Sequence, residues 1–162
     1  MSSTSTVPYR ASTMHVKDEW IDYNGHMNVA YYVLLFDRAI DEAFLTVGLG
    51  PEYVEKRRAS FFTVELHVHY LRELTAGAPV FATWQCLGAD DKRIRSWLEL
   101  FHAEEGYLAA ACEQMHVHVD LAARRSAAFP PHIRQKLDET LAAHQALPFP
   151  ERAGAAIGNK KR

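Results

Sequence analysis

Cysteine is scarce. The 162 residues hold two, Cys86 and Cys112. Each stands inside an apolar, strand-like run, which excludes a disulfide framework and marks both as buried thiols of a reducing compartment. Charge of one sign is also lacking. A formal net charge of −2 has none of the basic surplus of a nucleic-acid binder. Long hydrophobic runs are absent, and nothing approaches the ~20 residues that span a bilayer. The opening MSSTSTVPYR carries no apolar core of a secretory signal. There is no internal repeat, and no low-complexity block beyond that polar opening. What remains is expected to be one cytoplasmic domain with no membrane partner. Its 48% apolar and 23% charged residues are the usual mix for a chain with a real core.

Residues 1–7 are small and polar and are expected to form a flexible tail. A weakly patterned strand is predicted from Tyr9 to Val16. From Val29 the pattern turns helical: Val29, Tyr32, Val33, Phe36, Ile40, Ala43, Phe44 and Val47 follow steps of three and four. Asn28 is a suitable N-cap, and Gly48, Gly50 and Pro51 supply the stop. Leu34 and Leu35 widen the apolar face early, whereas Asp37, Arg38, Asp41 and Glu42 come later. The first half of this helix is therefore expected to be nearly enclosed.

Four strands follow, at about Phe61–Arg72, Pro79–Leu87, Arg93–Ala103 and Tyr107–Val119. Val64, Leu66, Val68 and Tyr70 alternate with Glu65, His67 and His69. Gly88-Ala89-Asp90-Asp91 and Glu104-Glu105-Gly106 suit hairpin connections. A short helix is predicted over His132–Ala143, and residues 148–162 are expected to be a second flexible tail. Residues 8–147 thus form a single domain. The order of strand, long apolar helix and four long antiparallel strands is α+β. The simplest way to enclose such a helix is to wrap the sheet around it.

One stretch carries chemistry. WIDYNGHMNVAYY, residues 20–32, crowds Asp22, Asn24, Gly25, His26 and Asn28 just ahead of the apolar helix. This stretch and the layout around it resemble the hotdog-fold acyl-CoA thioesterases of the 4-hydroxybenzoyl-CoA thioesterase type, over about residues 8–130. That family carries its catalytic aspartate where Asp22 stands, three residues before a glycine matched by Gly25. The D-x-N-x-H-x-N form also resembles the loop of plant acyl-carrier-protein thioesterases. DYNGHMN, VELHVHYLREL and EQMHVHVD are most similar to the stand-alone thioesterases of carnitine breakdown, which hydrolyse betainyl-CoA. The resemblance implies a long central helix wrapped by a five-stranded antiparallel sheet. It also implies an acyl-CoA substrate, no cofactor, and a homodimer or a tetramer built from it.

Thioester hydrolysis needs a carboxylate that attacks or activates water, and donors where the oxyanion forms. A helix N-terminus supplies free N–H groups and a positive dipole end. The expected catalyst is therefore Asp22, with backbone N–H groups at Asn28 and Val29 as oxyanion donors. Asn24 is a candidate to hold the attacking water or cap the loop, and His26 to bind the thioester oxygen or orient Asp22. Gly25 permits a tight turn or a close approach of substrate. In this family the strand after the helix pairs across the dimer, so Glu65 is a candidate second carboxylate, with an interface ion pair as its alternative. Trp20 and Tyr31 are candidates to hold a trimethylammonium acyl group by cation–π attraction, and each is also a plausible core residue. His67, His69, His116 and His118 form i, i+2 pairs that a strand places on one face, but no metal is expected. Lys56-Arg57-Arg58, Lys92-Arg93 and Arg124-Arg125 are candidates for the CoA phosphates. Two other readings stay open: a hotdog enoyl-CoA hydratase, whose D-x-N-P-x-H motif differs in spacing and has a proline, and a non-catalytic acyl-CoA-binding module.

Overall fold

The computed structural model describes residues 8–158. The expected first tail, residues 1–7, lies outside them. The chain opens with two short strands, β1 (Tyr9–Arg10) and β2 (Met14–His15), and a single 3-10 turn at Asp18–Trp20. Helix α1 (Val29–Leu45) follows, then α2 (Pro51–Arg57). Four long strands come next: β3 (Ala59–Tyr70), β4 (Pro79–Ala89), β5 (Arg93–His102) and β6 (Leu108–Asp120). A short β7 (Arg125–Ser126) and helix α3 (Pro131–His144) complete the elements.

All seven strands join one antiparallel sheet in the order β1-β4-β5-β6-β3, with β2 also on β4 and β7 on β6. The expected five strands thus become seven. The weak strand from Tyr9 to Val16 divides in two, because Ala11 bonds β4 through Ala82 while Ser12 turns aside to Glu42. The four long strands and both longer helices sit where their periodicity places them, within two residues or so at each end.

The helix is held by burial. Leu35, Phe36, Ile40 and Phe44 are fully buried, and each buried side chain of this kind contributes roughly 1.5–3 kcal/mol. Phe44 meets the rings of Phe61 and Trp84 at 4.6 and 5.4 Å. Enclosure begins only at Tyr32. Val29 is 57% exposed, so the start of the helix is open in one chain and the expectation of an enclosed first half is corrected there. Ile133 and Leu137 of α3 close the core.

Strand β3 has a bulge at Val64, since Thr63 pairs with His116 and Glu65 with Met115. An extra residue swaps the faces. Phe61 and Thr63 face the helix side before the bulge, through Phe44 and His116. Val68 and Tyr70 do so after it, through the core and Tyr32. From Pro148 the chain turns back over the sheet: Gln85 donates to the Pro148 carbonyl at 3.3 Å, and the Gly154 N–H donates to Glu113.

Candidate active site

The loop before α1 is built around one carboxylate. Residues 22–25 form a turn closed by the Gly25 N–H donating to the Asp22 carbonyl at 3.0 Å. Gly25 has φ +82° and no atom within 4 Å of where a Cβ would stand. It is needed for the turn and not for close packing. Ile21 and Met27 pair across the loop, Met27 is buried, and its N–H donates to the Leu74 carbonyl at 2.7 Å. A rigid base thus carries a polar tip.

At that tip, Asp22 Oδ1 accepts from the Asn24 N–H at 2.8 Å, and Oδ2 accepts from the Asn28 side-chain amide at 3.3 Å. Asn28 also caps α1, its Oδ1 accepting from the Ala30 N–H at 3.0 Å. One amide therefore ties the carboxylate to the helix start. Asn28 is not an oxyanion donor, because its backbone N–H donates to the Trp20 carbonyl at 2.9 Å. The Val29 N–H has no acceptor among the described residues, so it is the group left free at the positive end of α1. Its carbonyl accepts from the Tyr70 hydroxyl at 3.1 Å.

His26 turns away from Asp22. Its Nε2 lies 3.7 Å from Glu73 Oε2, and its buried Nδ1 has no partner among the described residues. Trp20 is 4% exposed and stacks on Tyr31 with centroids 5.1 Å apart. Lys17 and Arg38 already stand over the Trp20 ring, each at 5.6 Å. The Trp20 ring is thus occupied. Glu65 is not brought to Asp22 within the chain; it shares an outer-face cleft of about 220 Å³ with His67, Arg95 and Glu113. Sequence pattern singles out neither Tyr70 nor Glu73, because both meet the motif only through the fold.

Some of the remaining candidates have structural partners, while His69 Nε2 and His116 Nε2 are buried with none among the described residues. His116 is buried, with Nδ1 3.1 Å from the Thr63 hydroxyl, and burial holds its pKa down at about 3. His118 lies 2.8 Å from the Tyr53 hydroxyl. Burial pushes both cysteine thiols up to about 11, far from a nucleophilic thiolate. Of the basic clusters, Lys56 pairs with Glu52 and Arg93 with Asp90.

A second feature lies further along the same helix. A cavity of about 670 Å³ opens between the C-terminal half of α1, the start of α2 and the first residues of β3. Asp37, Asp41 and Glu42 line one side, and Tyr53, Phe61 and Phe62 line others. It does not reach Asp22 of the same chain.

Residues 16–137 match the Thioesterase-like superfamily. The chain belongs to that family. It is a thioester hydrolase with the hotdog fold. It is 38% identical to a betainyl-CoA thioesterase of Pseudomonas aeruginosa, over 88% of this chain and 90% of that protein. It is 39% identical to an L-carnitine dehydrogenase/betainyl-CoA thioesterase of Agrobacterium fabrum, covering 93% of this chain and 30% of that longer protein. A hypothetical protein of Staphylococcus aureus, solved in complex with CoA, superposes with a TM-score of 0.85 at 30% identity, covering 93% of this chain and 94% of that one. No helix among the described residues is long and apolar enough to cross a membrane.

Proposed function

We propose that this thioesterase hydrolyses betainyl-CoA to betaine and CoA, with Asp22 as nucleophile or general base. The observation that carries the reading is the match to the Pseudomonas aeruginosa betainyl-CoA thioesterase along nearly the whole of both chains. The loop geometry supports it. Asp22 is a carboxylate fixed by two donors beside a helix start. The Val29 N–H, which has no acceptor among the described residues, is the proposed donor to the carbonyl oxygen as charge develops there. Water supplies the hydroxyl of the new acid, the carbon–sulfur bond breaks, and CoA leaves as its thiol.

The working unit is proposed to be a homodimer paired along β3. That strand is a free sheet edge of 12 residues, with Phe62, Val64 and Leu66 exposed by 53, 59 and 43%. An open edge of that length and apolarity is an aggregation hazard unless paired, and a two-fold axis lets it pair with itself. The substrate and the two unbridged cysteines favour the cytoplasm as its location.

Thiol release measured over a panel of acyl-CoAs tests the reading. Betainyl-CoA is expected to give the highest kcat/KM. Preference for a neutral acyl group would overturn the substrate. Water addition to an enoyl-CoA without thiol release would favour the hydratase, and tight binding without turnover a non-catalytic module.

A further inference from the structure

We propose that the acidic, aromatic cavity at the far end of α1 is the acyl-selecting pocket for the partner subunit's catalytic loop, and that Asp37 and Asp41 hold the trimethylammonium group. This inference rests on the betainyl-CoA reading and names the residues that would make that substrate preferred.

The cavity is chemically one-sided. Its lining holds three carboxylates, Asp37, Asp41 and Glu42, and three aromatic rings, Tyr53, Phe61 and Phe62, with no lysine, arginine or histidine. Glu42 is engaged, accepting from the Tyr9 hydroxyl at 2.9 Å and from the Ser12 N–H and hydroxyl. Asp37 and Asp41 have no hydrogen-bond or ion-pair partner among the described residues. Burial and the neighbouring Asp37 push the Asp41 carboxyl up from its usual range. Like charges left together on the exposed face of α1 beside the cavity repel, and a bound cation offsets that cost. A quaternary ammonium has no N–H to donate. It is recognised by ring faces and by nearby, non-contacting negative charge, and this wall offers both. Trp20 does not offer it, because it is buried, stacked on Tyr31 and already beneath two cations.

Distance decides which Asp22 the pocket serves. Asp37 and Asp41 lie 8 and 12 residues beyond Val29, about 12 and 18 Å along a helix axis. In a betainyl group the carbonyl carbon and the nitrogen are two bonds apart, about 2.5 Å. The two ends of one helix cannot share that group. Across the β3 edge they can. Ser60, Phe61, Phe62 and Thr63 of β3 line the cavity, while at the other end Tyr70 bonds the Val29 carbonyl. Antiparallel self-pairing about the middle of β3 sets the first end of one strand against the last end of its partner. The helix start and Asp22 of the partner subunit then face the cavity.

The test uses two substrates of one shape. 3,3-Dimethylbutyryl-CoA replaces the cationic nitrogen of betainyl-CoA with carbon. In the double variant Asp37→Asn with Asp41→Asn, the ratio of kcat/KM for betainyl-CoA to that for the neutral ester is expected to fall about tenfold or more, from the loss of two nearby charges. Any loss of folded enzyme cancels in that ratio. Phe62→Leu, which keeps apolar area but removes a ring face, is expected to lower it by a smaller factor. Tetramethylammonium should inhibit hydrolysis of the neutral ester, with Ki raised about tenfold in the double variant by the same charge loss. A ratio and a Ki that both stay within about twofold, well under 1 kcal/mol, would overturn the assignment. So would a wild type that tetramethylammonium does not inhibit. If wild-type protein releases no CoA from betainyl-CoA, the proposed substrate fails, and the tetramethylammonium arm still decides the pocket.

Discussion

The two ends of α1 carry the same residue type in opposite settings. At the N-terminal end Asp22 is held by a backbone N–H and a side-chain amide. Toward the C-terminal end Asp37 and Asp41 stand in a cavity wall with no donors to them among the described residues. A carboxylate that accepts two hydrogen bonds beside a helix start is pre-positioned for a reaction. Carboxylates set side by side on one wall of a cavity, with no donors to them, suit a cation. On the proposed reading, environment and not residue identity assigns attack to one end and selection to the other. The pairing of β3 with its copy is what would bring the two ends together.

The largest effect expected from breaking this contrast is at the catalytic end. Asp22→Asn keeps the shape and removes the charge, so kcat should fall by roughly 10²-fold or more, while a non-hydrolysable acyl-CoA analogue still binds in a calorimetric titration. Full activity in this variant would remove Asp22 from the chemistry. Next comes the edge that joins the ends. Leu66→Asp places a charge on the exposed apolar strand. Light scattering should then report a monomer, with betainyl-CoA turnover down by roughly tenfold, about 1.4 kcal/mol.

The smallest effects concern stability, and here the two ends should differ in sign. Asp22→Asn weakens two charge-assisted bonds and should cost up to ~1 kcal/mol. Asp41→Asn should raise Tm slightly at pH 7. A folded-state pKa pushed above its unfolded value means the charged form is disfavoured in the fold. Above that pKa the carboxylate subtracts from stability, and the penalty fades as pH falls through it. The gain should therefore be present at neutral pH and shrink on acidification. An Asp41→Asn variant less stable than the parent at pH 7 would contradict this account of the cavity.

Much of the fold was legible because its signals are long. The spacing from Val29 to Val47 and the four strand runs each extend over nine residues or more, and packing had only to accept them. The misses are short or non-local. Helix α2 spans seven residues behind Gly-Leu-Gly-Pro, which reads as a stop signal and not as a start. β1, β2 and β7 are two residues each, too short for any period. The bulge at Val64 changes which face of β3 turns inward, and alternation alone does not reveal an inserted residue. In the site, Asp22, Asn24 and Asn28 were legible because they lie within one loop. The expected donation from the Asn28 N–H fails because Trp20 lies close enough to accept it. In the sequence Asp37, Asp41 and Glu42 are only charges late in an apolar helix, since the walls that make them a cavity come from α2 and β3.

The proposed shared site has one direct test, which is complementation. Asp22→Asn protein is mixed and reassociated with the Asp37→Asn, Asp41→Asn double variant, and betainyl-CoA hydrolysis is measured. In a mixed dimer one site pairs an intact Asp22 with an intact cavity from the other chain. Random mixing of equal amounts makes half the dimers mixed, so activity should return to about a quarter of wild type. Activity no greater than the average of the two parents would mean that Asp22 and the cavity do not meet across the dimer, and the division of labour between the helix ends would be wrong.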